Sequence, residues 1–104
     1  MGGMMNRDEA NNILQEQINT LRNMPYTDLI KLLQNNDASP LEVSAKSGTK
    51  YSVDIQVFWD AEPNKNIRVI VAIDDGSGWS AFSPLTDDFI KAPNDSFVGE
   101  PSDA

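Results

Sequence analysis

Tyr51-Ser-Val-Asp-Ile-Gln-Val-Phe-Trp59 and Ile67-Arg-Val-Ile-Val-Ala-Ile73 decide the fold of this chain. In the first stretch the odd positions Tyr51, Val53, Ile55, Val57 and Trp59 are all large and apolar or aromatic. In the second, Ile67, Val69, Val71 and Ile73 repeat the pattern. Successive side chains of a strand point to opposite faces, so a strict period of two puts each set on one face. Pairing Trp59 with Ile67 sets Val57 against Val69 and Ile55 against Val71. The polar run from Asp60 to Asn66, with Pro63 and Asn64, supplies the turn between them.

Upstream, Leu41, Val43 and Ala45 alternate with Glu42, Ser44 and Lys46, which marks a first strand. Ser47-Gly48-Thr49 then turns the chain, with Gly48 suited to the left-handed position of a three-residue hairpin loop. The expected register sets Ala45 against Tyr51, Val43 against Val53 and Leu41 against Ile55. Downstream, Asp75-Gly-Ser77 reads as a third turn into a short strand, with Ile73 against Trp79 and Val71 against Ala81. All three hairpins then share one inward face.

That face needs a cover. Ala10, Ile13, Leu14, Ile18 and Leu21 recur at three- and four-residue steps, predicting an amphipathic helix of about four turns. Asn6 and Glu9 have capping-box spacing at its start. Pro25 breaks this helix and opens a second, whose apolar side is Tyr26, Leu29, Ile30, Leu32 and Leu33. Near the other terminus, Thr86 is placed to cap a short helix through Asp87, Asp88, Phe89 and Ile90 to Lys91. The expected fold is α+β: an N-terminal helical hairpin on a four-stranded antiparallel meander of order 1-2-3-4, with a short C-terminal helix. The 104 residues make one domain, and residues 1–5 and 100–104 are expected to lack fixed structure.

Composition narrows the chemistry. The chain has no cysteine and no histidine, which removes disulfides, thiolate metal sites, the commonest general base and the commonest transition-metal ligand. Its net charge of −8 repels phosphate backbones, and either serves solubility alone or attracts a basic protein partner. No apolar run reaches the roughly 20 residues that span a bilayer, and the start resembles neither a signal peptide nor a myristoylation site. The expectation is a cytoplasmic protein with no cofactor, no nucleic-acid partner and no membrane.

Asp74-Asp75-Gly-Ser-Gly78 superficially suggests a calcium loop but lacks the ligand spacing, and reads as a hairpin turn. Asp54, Asp60 and Asp74 share the even-numbered face, with Glu62 near an edge, but nothing in their spacing pairs them for acid–base work. No enzyme is expected, and no catalytic or metal residue is assigned. Two other groups stand out. Tyr51, Trp59 and Trp79 point inward and read as core, the alternative being a small-molecule pocket between helices and sheet. Phe58, Ile70 and Phe82 lie on the outer face, where residues 84–98 cover them or a partner does. Arg68 sits opposite Phe58 with Asp60 near enough to fix its guanidinium, the composition of an interface hot spot. The expected function is a small acidic interaction module, of immunity or inhibitor type or a homodimer.

Overall fold

The computed structural model describes residues 7–35, 41–74 and 85–100. Helices α1 (Arg7–Arg22) and α2 (Tyr26–Asn35) precede strands β1 (Leu41–Ser44), β2 (Lys50–Trp59), β3 (Ile67–Asp74) and β4 (Leu85–Lys91). The strands form one antiparallel sheet in the order β1-β2-β3-β4. Ala10, Ile13, Leu14, Ile18 and Leu21 are the buried stripe of α1, while Tyr26 and Leu29 anchor α2. Helix α1 lies over β3 and β4, and α2 over β2 and β3; each packs chiefly on the sheet rather than on the other helix.

Odd-numbered side chains face inward through the centre of the sheet. Tyr51, Val53, Ile67, Val69, Val71 and Ile73 are all buried in the core, and Ile55, Val57 and Trp59 pack against its border. Trp59 pairs with Ile67, Val57 with Val69 and Ile55 with Val71, as the hydrophobic pattern predicts. Strand β3 is covered on both edges and by both helices, and its four inward side chains are fully excluded from solvent. Burying each such aliphatic side chain contributes about 1.5–3 kcal/mol, which makes β3 the energetic centre of the molecule.

The first hairpin keeps the expected face but not the expected register. Val43 pairs with Tyr51 and Leu41 with Val53, two residues from the alignment read in the sequence. The Ala45 N–H donates to the Thr49 carbonyl at 2.8 Å, so the loop is Lys46-Ser47-Gly48. Gly48 has φ +91°, the left-handed conformation required of the last residue in this loop type. The glycine therefore sets the register, and a slip of two preserves parity where a slip of one would invert it.

The C-terminal helix expected over residues 86–91 is instead β4. Val69 pairs with Phe89, Val71 with Asp87 and Ile73 with Leu85, so this segment occupies the edge of β3 that the sequence reading gave to Trp79 and Ala81. A helix of one and a half turns has little intrinsic stability. The open edge of a buried apolar strand, by contrast, has N–H and C=O groups that require partners. Trp79, Ala81 and Phe82 lie outside the described residues, as do the tails 1–5 and 101–104. Asn6 of the capping-box pair is outside them too; Glu9 Oε1 accepts hydrogen bonds from Ser47 Oγ and Tyr51 Oη, tying α1 to the first hairpin.

The segment after β4 is also more ordered than its composition implies. Glu100, placed in a loose tail by the sequence reading, forms a bidentate pair with Arg22 at 2.7 Å for each bond. The Arg22 guanidinium lies 3.8 Å from the centroid of the Phe97 ring, which meets Phe89 edge-on at 5.8 Å. Asp95 caps α2 through its Oδ1, which accepts the Tyr26 N–H at 2.7 Å. These contacts lock the C-terminal turn against the junction of the two helices.

Candidate functional site: the outer face of the sheet

The register arranges the even-numbered face in rows. Phe58, Arg68 and Ile90 form one; Gln56, Ile70 and Asp88 form the next; Asp54, Ala72 and Thr86 form a third. Beyond β4 the chain doubles back, with Lys91 bridging Phe97 and the Val98 N–H donating to the Ile90 carbonyl. Because Phe97 turns inward onto Phe89, Val98 falls on the outer side and extends the first row. Phe58 is 38% exposed and Val98 39%. Among the described residues, both helices lie on the opposite face. Of the segment expected to cover this face, residues 85–91 are a strand within the sheet, Phe97 packs on the helix side, and Val98 joins the outer face itself.

Three of the outer-face residues singled out from the sequence therefore come together. Phe58 and Arg68 are directly paired, and Ile70 lies one row away on the same face. Arg68 is held as expected and more: its Nε donates to Asp60 Oδ1 at 2.9 Å, and its Nη1 donates to Asp88 Oδ2. The guanidinium is thus held by two carboxylates. The described cation–π contacts belong to Arg22 and Lys91, on Phe89 and Phe97. Phe82, the fourth member, is outside the described residues.

The inward aromatic group is not brought together in the same way. Tyr51 is fully buried, its hydroxyl donating to Glu9, whereas Trp59 is half-buried at the far end of β2. They stand eight positions apart along the strand, a distance of about 26 Å. Tyr51 and Trp59 therefore do not line one small cavity, and Trp79 lies outside the described residues. Among the described residues no group of three or more acidic side chains is arranged to hold a metal ion, and no helix is long and apolar enough to cross a membrane.

Sequence reasoning missed the polar cluster on the helix side. Lys91 is only 4% exposed, and its Nζ donates to the carbonyl oxygens of Arg22 (2.8 Å) and Met24 (2.7 Å). It closes the C-terminal end of α1, whose last carbonyls have no partner within the helix. Burial lowers its pKa, with Arg22 adding to that effect and Asp95 opposing it. Asp87, also inward, accepts a hydrogen bond from Gln15 Nε2 at 3.0 Å. Two charged residues on the core face of β4 are what broke the alternation that would have marked it as a strand.

The hydrogen bonds from Arg22 hold the Glu100 carboxyl below the usual carboxylate range. A depressed folded-state pKa contributes stability at neutral pH that disappears as the pH falls through it. Amide protection over Phe97 to Glu100, measured by hydrogen exchange, should therefore weaken in acid. Glu100→Gln should weaken it at neutral pH and remove the acid dependence. The effect on global stability should stay within about 1 kcal/mol, because both side chains of the pair remain in contact with solvent. Protection unaffected by either change would show that the pair contributes nothing. No protein-family model, curated protein or solved structure matches this chain.

Proposed function

We propose that the protein is a small acidic interaction module that binds another protein through the even-numbered face of its sheet, in the manner of an immunity or inhibitor protein. The observation carrying this reading is that both helices cover one face while the other presents Phe58, Ile70, Ile90 and Val98 around a fixed arginine. Apolar clusters rimmed by polar groups mark interaction surfaces. Aromatic residues are prominent among the side chains that dominate interface energetics.

Phe58→Ser combined with Val98→Ser tests the reading. Both positions are exposed, so the thermal midpoint should shift by only a few degrees. Quantitative capture from native lysate, with solution mass measured alongside, should show the specific partner reduced about tenfold or more. An unchanged partner set and unchanged mass would refute the proposal.

A further inference from the structure

We propose that the outer sheet face docks a cationic protein segment with an apolar side, and that Arg68 holds the place of the basic side chain that segment inserts. The inference rests on the outer face being the binding surface and adds the chemistry of the partner. The register assigns Glu42, Asp54, Asp74 and Asp88 to this face with Lys50 and Arg68, and Asp60 joins them through its bond to Arg68. Carboxylates thus outnumber cations on the face, and one of its two cations is already shared between Asp60 and Asp88.

Phe58 on one side and Ile90 and Val98 on the other flank Arg68 in one row, so a segment with basic and apolar side chains in alternation matches both features. A second copy of the chain does not, because it would bring like charge to like charge. Arg68 is not an obstacle. An exposed or half-exposed ion pair contributes little net stability, so exchanging one cation for another at Asp60 and Asp88 costs little. The carboxylates are meanwhile kept oriented for the incoming group, which is the benefit of an internal placeholder.

A fluorescein-labelled amphipathic Lys/Leu peptide and its Glu/Leu counterpart test this by anisotropy. The Lys/Leu peptide should bind, more weakly as salt rises, and the Glu/Leu peptide should not. Asp60→Asn with Asp88→Asn should weaken binding about tenfold, whereas Asp8→Asn with Glu16→Gln, on the exposed side of α1, should change it less than about twofold. Arg68→Gln frees both carboxylates and should strengthen binding about threefold.

Equal loss with the α1 pair would show a diffuse charge effect and overturn the inference, as would weakening by Arg68→Gln. Preference for the Glu/Leu peptide would do the same. If Phe58→Ser with Val98→Ser abolishes partner capture while the Lys/Leu peptide is ignored, the binding face stands and the cationic partner does not.

Discussion

Phe89→Ala should lower the free energy of unfolding by about 3–5 kcal/mol, the range for deleting a buried aromatic ring. Phe89 is 4% exposed, packs on the core opposite Val69, and supports the Phe97 ring on which Arg22 is stacked. Its loss therefore opens a cavity and loosens the C-terminal turn together. Ile90→Ala, one residue along, should cost about 1 kcal/mol or less, since Ile90 points to the outer face. Urea unfolding of the two variants measures this contrast. Equal losses at the two positions would mean that residues 85–91 do not alternate as a strand, or that the outer face is buried by the chain itself.

Lys91→Met should cost about 2–3 kcal/mol, because methionine keeps the aliphatic stem but leaves the carbonyls of Arg22 and Met24 buried without their donor. The pH dependence has a definite sign. Burial lowers the Lys91 pKa in the folded protein, so over the window between that value and the ordinary lysine pKa the unfolded chain binds more protons than the native one. Stability relative to Lys91→Met should therefore rise with pH across that window and level off above it. The neutral amine still has two N–H groups for two carbonyls, so the cap survives deprotonation. Denaturant midpoints of both proteins across the alkaline range decide the matter. An advantage of the wild type that shrinks as the pH rises would show that the ammonium charge, rather than donor geometry, holds the helix end.

Asp87 and Lys91 explain where the sequence misled. Alternation is a strong signal when every inward position is apolar, as in β2 and β3, and those strands follow from the sequence alone. In β4 the inward set is Leu85, Asp87, Phe89 and Lys91, and half of it is charged. Each charge is accommodated by an element distant in sequence: Asp87 by Gln15, and Lys91 by the end of α1. A local reading finds instead a capping threonine followed by aspartates, which favours a helix. The tertiary partner decided the outcome.

The candidate site divides along the same line. Parity put Phe58, Arg68 and Ile70 on one face, and the turn chemistry placed Asp60 beside the arginine, so this part of the cluster was legible. Asp88, Ile90 and Val98 join it only because 85–91 is a strand and the chain folds back at Phe97. Tyr51 and Trp59 share a face but stand at opposite ends of β2, and a shared face on an extended strand does not imply proximity.

By itself, the sequence determined which side chains of β2 and β3 face inward, the two helical stripes that cover them, and the antiparallel succession of β1, β2 and β3, because each depends on local periodicity and turn stereochemistry. Only the tertiary structure decided the register of the first hairpin, the identity of the fourth strand, and the burial of Lys91. Those features depend on groups many residues apart satisfying one another's hydrogen bonds, and no local pattern encodes that.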